Sequence, residues 1–518
     1  MQERYIAAVD LGSSKLALSV AKVTGDNVQI VYYKERPSEG IRYSLVYNPK
    51  KASGPLREAI REAENELGIR ILQVVLGYPR YNIHQESGSA RLDRSNPNEC
   101  ISREEVEVLK SMALDVYPLI DDSNEEIYGA VAQSFTADDL IQQSEDDVVG
   151  ATAVTLDGNF KVYVGTKKAS RNLDIMMNFA EVAIAQKVFT PYTTAQAVLA
   201  EEEKENGVGL IEFGAGVTSL TIFQGGIMRY YTAIPFGARN ITTDIKYECG
   251  FKESLAENIK LAYGACMPEK LQSLGEKTLR ITDDETGQYD DLPVKYLSEI
   301  ITCRMAEILD AILFCIQESG FAERLRNGLV ITGGGAGMAN LTALIKEKSG
   351  YNVRIGYPRA RYFSAAGCSG ITETGAAASV GLILEAKRYS YLNCTEEVEA
   401  EEPDAPAIDE ELPPQEDGGG TADTAEEPDY GGTVFGSDSG MTKEDERARK
   451  AQLKREKEAQ KALERERRRK EEAQRKAEKE HVTSMKITWI KDKVGSMLGR
   501  AFDDTLGQFY DNMTDNVD

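Results

Sequence analysis

One pattern occurs twice in this chain, roughly 200 residues apart, and it restricts the possible folds more than any other feature. A strand-like run leads through an acid into closely spaced small residues and hydroxyls, and then into a second strand-like run. The first copy is Tyr5–Val20 (YIAAVDLGSSKLALSV), where Asp10 enters the turn Gly12-Ser13-Ser14-Lys15. The second is Val208–Phe223 (VGLIEFGAGVTSLTIF), where Glu212 enters Gly214-Ala215-Gly216 and Thr218 follows. Such a turn presents backbone N–H groups and hydroxyls to an anion, and a carboxylate at its entry can hold Mg²⁺ through water. One copy alone reads more simply as a hairpin with a polar turn. Two copies suggest a duplicated domain with a phosphate held between the turns. A third segment, Gly328–Leu341 (GLVITGGGAGMANL), runs from a buried strand into glycines that let backbone approach a flat ligand closely, with a helix beginning near Asn340.

Around these motifs, residues 1–395 alternate short β-branched apolar runs with helical patterns, which predicts a mixed α/β body. The chain has 518 residues, enough for three or four structural units. Its net charge of −24 is uneven: 396–441 hold sixteen acids and no base, 443–480 sixteen bases against eleven acids, and the body 1–395 is left at −11. An acidic body argues against a nucleic-acid binder. The start has no basic segment leading into an apolar one, so no signal peptide is expected, and no apolar run approaches the ~18–20 residues of a membrane span. Seven scattered cysteines without a CxxC pair fit reduced cytosolic thiols. With only His84 and His481 present, Ser–His catalysis and multi-histidine metal sites are nearly excluded, leaving carboxylates, backbone amides and phosphates for the chemistry.

The tail has three parts. Residues 396–441 combine acids, Pro and Gly with few aromatics, and are expected not to fold. Residues 442–481 are almost wholly charged or helix-favouring without an apolar seam. They read as a solvated helical spacer, or alternatively as a basic strip for nucleic acid or anionic lipid. Within 482–510, Ile487, Ile490, Val494, Met497, Leu498 and Phe502 recur at three- and four-residue steps on one helix face, with Trp489 near its start and lysines beside it. This face must bury itself on protein or in a lipid interface, and Trp and Phe flanked by Lys suit the second.

Taken in order, the Asp turn, the acid turn and the strand running into glycines resemble the actin/sugar-kinase/chaperone ATPase superfamily, and within it the bacterial cell-division protein family FtsA. Ile101-Ser-Arg-Glu-Glu-Val106, Val131-Ala-Gln-Ser-Phe135 and Val148-Val-Gly-Ala151 look like its inserted small domain. Thr190–Leu199, Ile234-Pro-Phe-Gly237, Glu257-Asn-Ile-Lys260 and Val353–Pro358 resemble its connecting, upper-domain and nucleoside-side segments, and the terminal amphipathic helix resembles its membrane-targeting sequence.

The resemblance implies an actin-like duplicated α/β fold with four subdomains. The lower domain would comprise 1–83 and 169–190, and the FtsA-type insert 84–168. The second actin-like domain would be 191–235 with 303–395, and the upper domain 236–302. It implies ATP with Mg²⁺ in the cleft. Gly12, Ser13, Ser14 and Lys15 would cradle phosphates, with Asp10 near the hydrated metal, and Gly214, Ala215, Gly216 and Thr218 would oppose them. Glu257 and Lys260 would border the nucleoside, with Gly334, Gly335 and Met338 beneath it. It further implies self-association into protofilaments and binding of the C-terminal peptide of the tubulin-like FtsZ through the upper domain. Other division proteins would be recruited, and an anionic membrane engaged at the cytoplasmic face of the septum. The second turn departs from the family pattern of Asp followed by Gly-Gly-Gly. Glu212 is one methylene longer and Ala215 narrows the turn, so slow hydrolysis is expected, with Glu212 and Gln196 as the candidate catalytic pair. The competing readings are a pilus-assembly actin-like adaptor and a small-molecule phosphotransferase.

Overall fold

The computed structural model describes residues 3–397 apart from 118, 120–122, 139–143, 283–288 and 366. The spacer at 442–481 and the terminal helix with Ile487, Trp489, Ile490, Val494, Met497, Leu498 and Phe502 lie outside the described residues.

Two sheets carry the duplication. In the first, the strands Arg4–Leu11, Lys15–Thr24 and Asn27–Pro37 form an antiparallel meander; Gln73–Gly77 and Ala183–Val188 then add in parallel beyond Arg4–Leu11. The short strand Ser364–Ala365 closes the other edge. In the second, Val208–Phe213, Thr218–Gln224 and Ile227–Ile234 make the same meander, and Leu329–Thr332 and Val353–Ile355 add in parallel beyond Val208–Phe213. The central strands are buried on both faces, as their near-continuous apolar runs require: Ile6, Ala7, Ala8 and Val9 are fully buried, as are Val208 and Ile211.

Each sheet has its own core. The first cluster joins Ile6, Val9 and Leu16 to Val380 and Ile383 of the helix Ala377–Lys387. The second joins Ile211, Phe213 and Ile331 to Ile301 and Ile308 of the 25-residue helix Val294–Glu318. The helices Thr190–Val198 and Ala377–Lys387 pack together so closely that a Cβ on Gly381 would lie 2.4 Å from the Thr193 carbonyl oxygen. Only glycine permits that approach. Arg4 ties down the end of the second helix, donating to the carbonyls of Lys387, Tyr389 and Leu392 at 2.6–2.9 Å.

A third sheet orders His84–Asp93, Thr155–Thr166 and Glu125–Ala137, with the helix Arg103–Val116 against it and a separate core around Val106, Leu109, Phe135 and Phe160. The helix starts at a capping box between Ser102 and Glu105. Glu105 also pairs with both Nε and Nη2 of the buried Arg94 at 2.8 and 3.0 Å. At the chain's described end, Thr395–Glu397 pairs antiparallel with the edge strand Ile69–Ile71. The stretch expected not to fold from residue 396 therefore begins inside a strand, where the β-branched Thr395 faces Ile71 and Glu396 lies opposite Arg70 in register.

Candidate functional site

The two copies of the sequence pattern fold into the same hairpin. The Gly12 N–H donates to the Lys15 carbonyl at 3.0 Å, and the Gly214 N–H donates to the Val217 carbonyl at 2.9 Å. Each bond leaves a two-residue loop, Ser13-Ser14 in one and Ala215-Gly216 in the other. The loops abut: a Cβ on Gly216 would stand 2.8 Å from Ser13 Oγ. Behind the second loop, the N–H groups of Ala238 and Arg239, at the start of the helix Ala238–Cys249, donate to the carbonyls of Gly214 and Ala215. That helix terminus thereby fixes the turn's shape.

A cavity of about 500 Å³ opens beside the loops and is lined by all three motifs. Asp10, Gly12, Ser13, Ser14 and Lys15 contribute from the first, and Glu212, Gly214, Ala215 and Gly216 from the second. Gly334, Gly335 and Met338 come from the third, with Glu257 and Lys260 from the helix Glu253–Tyr263. Lys260 Nζ donates to Glu257 Oε2 at 2.7 Å, to Thr242 Oγ1 at 2.9 Å and to the Ala238 carbonyl at 3.1 Å. Burial pulls the Lys260 pKa down, against the opposing pull of Glu257. The glycine segment is fixed by Thr374, whose Oγ1 donates to the Gly333 carbonyl at 2.9 Å.

Two expected residues stand apart from the cavity lining. Thr218 is fully buried, and its Oγ1 donates to the Phe236 carbonyl at 2.9 Å, closing the strand end instead of meeting a ligand. Gln196 Oε1 accepts from Lys204 Nζ at 2.6 Å, and this nearly inaccessible lysine also pairs with Glu201 at 2.7 Å. The Gln196 amide oxygen and the Glu201 carboxylate thus share a buried cation, and removing the amide from it would be costly.

Sequence reasoning missed Arg80. It follows the buried strand Gln73–Gly77 and places its guanidinium between the two turn carboxylates: Nη2 donates to Asp10 Oδ1 at 2.9 Å, and Nε lies 3.3 Å from Glu212 Oε1. Burial lowers the Arg80 pKa, but Asp10 and Glu212 outweigh it and the net shift is upward. Burial pushes Glu212 up; Asp10 adds to that rise and Arg80 opposes it. The signal was available as a lone basic residue directly after a buried strand (VVLGYPR), without any motif to mark it. Among the described residues no cluster of three or more His, Cys, Asp or Glu could hold a metal ion. Asp10, the expected metal-side carboxylate, gives its Oδ1 to Arg80, so a divalent ion coordinated directly by both turn carboxylates does not fit this arrangement.

Two matched meander sheets, hairpin turns that meet at a cleft, and a glycine segment on its far wall define an actin-like ATPase fold. The family model described as "Cell division protein FtsA" matches residues 209–381. The FtsA of Borreliella burgdorferi is 29% identical over 361 residues, covering 69% of this chain and 86% of that one. The FtsA of Neisseria meningitidis is 28% identical over 364 residues, covering 69% and 85%. Over its globular body the chain is thus similar in sequence to FtsA cell-division proteins. Among solved structures, a PilM–PilN type IV pilus biogenesis complex matches at a TM-score of 0.51 and 15% identity, covering 73% of this chain and 98% of that one, a likeness of fold alone.

Proposed function

We propose that this chain binds ATP in the cleft and serves as the actin-like membrane adaptor of bacterial cell division. The observation that carries the reading is the meeting of the two hairpin loops beside Lys15 and Arg80. Loop amides and two cations together make a site for a polyphosphate. The glycines 334 and 335, with Met338, Glu257 and Lys260, offer a flat, narrow wall suited to a nucleoside. The FtsA relatives support a role in division, and with it the finer parts of the reading. Those are self-association into protofilaments, an upper domain at 236–302 that takes the FtsZ C-terminal peptide, recruitment of later division proteins, and a terminal helix on an anionic cytoplasmic membrane surface at the septum.

Turnover is slow on this reading, because both candidate catalytic side chains are engaged elsewhere: Glu212 by Arg80 and Gln196 by Lys204. The test is equilibrium binding of a fluorescent ATP analogue together with steady-state phosphate release. Binding with turnover below about one per second supports an adaptor. A rate above that, ordinary for an enzyme, favours the phosphotransferase reading.

A further inference from the structure

Arg80 is a built feature of the cleft that none of the three motifs accounts for. Its residue is 8% exposed, and its backbone is pinned at both ends. The Arg80 N–H donates to Ser44 Oγ at 3.2 Å, and the Ser44 N–H in turn donates to Ser13 Oγ in the first loop at 2.9 Å. The Arg80 carbonyl accepts from the Tyr231 hydroxyl on the strand Ile227–Ile234 of the second sheet. The Tyr231 ring packs edge-on against Tyr163 and Phe189, with centroids 6.3 and 5.6 Å away. The guanidinium therefore reaches the two carboxylates from a fixed base, not from a flexible loop. Its Nε is buried and turned to Glu212 Oε1, 3.3 Å away, so the bridge to the second turn is an ion pair without an aligned hydrogen bond.

The other cations of the cavity pair away from the two turn carboxylates, Lys15 with Glu35 and Lys260 with Glu257. Among the described residues Arg80 alone pairs with the carboxylates of both turns, where a divalent ion coordinated directly by them would have to sit. A metal taking Asp10 would displace the guanidinium and leave a buried charge short of partners, which is strongly unfavourable. A phosphate arriving beside Arg80 would instead meet a fixed positive charge on a planar guanidinium, the group that suits phosphate oxygens.

We propose that Arg80 is the resident counter-cation of this cleft, bridging Asp10 and Glu212 in place of a divalent metal, so that the chain binds a nucleoside polyphosphate with little need for Mg²⁺. The proposal rests on the nucleotide reading above and specifies the chemistry of that same site. The experiment titrates N-methylanthraniloyl-ATP against the full chain, once with Mg²⁺ and once with EDTA. The expected result is a Kd that differs by less than about fivefold between the two conditions. A larger loss in EDTA, with good binding in Mg²⁺, overturns the role of Arg80 and leaves the nucleotide reading standing. No binding in either condition overturns both. Arg80→Met should lose metal-free binding by more than about tenfold and recover part of it with Mg²⁺, which can then reach the freed carboxylates. A folded variant that binds free nucleotide as the wild type does would overturn the proposal. Should Arg80→Met fail to fold, as judged by circular dichroism, Arg80→Lys takes its place: it keeps the charge but loses the fork, and its metal-free binding should fall between wild type and none. The wild-type comparison decides the matter even without a variant.

Discussion

The contact between the two loops predicts that Gly216→Ala will separate them. Gly216 does not have a left-handed φ, so alanine suits its backbone and the substitution tests the contact alone. The new methyl carbon would lie 2.8 Å from Ser13 Oγ, 3.0 Å from Ser13 Cβ and 3.3 Å from the Tyr43 amide nitrogen. Ser13 has little room to yield, because its hydroxyl accepts the Ser44 N–H in a buried position. Overpacking of this kind costs about 1–3 kcal/mol. If the strain is relieved by moving the second loop away from the first, the loss falls on ligand binding, at tenfold per 1.4 kcal/mol, hence roughly five- to hundredfold. The assay is titration with a fluorescent ATP analogue alongside a thermal melt. Ser13→Ala alone should cost about 1–3 kcal/mol by stranding the Ser44 N–H. In the double variant the nearest clashing atom is absent, so the combined loss should be smaller than the sum of the two. A Gly216→Ala protein that melts and binds within twofold of wild type, or strictly additive losses, would refute the view that the loops must touch.

Three further outcomes are expected. Arg94→Met, which leaves Glu105 without its buried bidentate partner, should destabilise the third sheet and its helix by about 2–3 kcal/mol, read by denaturant unfolding; the half-open position of Glu105 keeps the cost below that of a fully buried pair. Glu212 has a folded pKa raised above its ordinary 4.5, so its contribution to stability is full below pH 4.5 and is lost as pH rises through the folded value. The melting temperature of Glu212→Gln relative to wild type should therefore climb from pH 4 to pH 7, and a constant difference would contradict this. Replacing both Trp489 and Phe502 with Glu should abolish co-sedimentation with anionic vesicles, since two charges on or beside an apolar face cost several kcal/mol of interfacial binding; unchanged sedimentation would remove the terminal helix as the anchor.

Much of the fold was legible because duplication leaves two independent traces of one local rule. Alternating hydrophobic runs around Asp10 and Glu212 specify hairpins, and the hairpins became the matched meanders of the two sheets. Harder to read were features whose cause lies far along the chain. The short strand at Thr395–Glu397 depends on an unpaired edge at Ile69–Ile71, more than 300 residues away. Nothing in an acidic, Pro-containing stretch announces that its first residues have such an edge to join. In the same way the glycine at 381 reads locally as a weak point in an apolar helix, and only the Thr193 carbonyl beside it explains why no larger residue fits.

The site divides along the same line. Backbone-driven parts of the cleft are visible in sequence because glycines and hydroxyls at fixed spacing leave a pattern: the loops at 12–15 and 214–216 and the glycine segment near 334 all line it. Side-chain parts are not, because an arginine's reach is set by where its strand ends. Glu212 illustrates the consequence. Read alone, its extra methylene looked like a carboxylate displaced from its task. In the structure that length carries Oε1 to 3.3 Å from Arg80 Nε, a residue outside every motif. The departure from the family pattern and the missed arginine are thus one feature: a longer acid on the second turn meets a buried guanidinium that the first turn's Asp10 also holds. A shorter acid at 212 would retract from Arg80 and leave Asp10 as its sole anionic partner, so the two positions should be exchanged together, not singly, in any attempt to convert this cleft to a metal-dependent one.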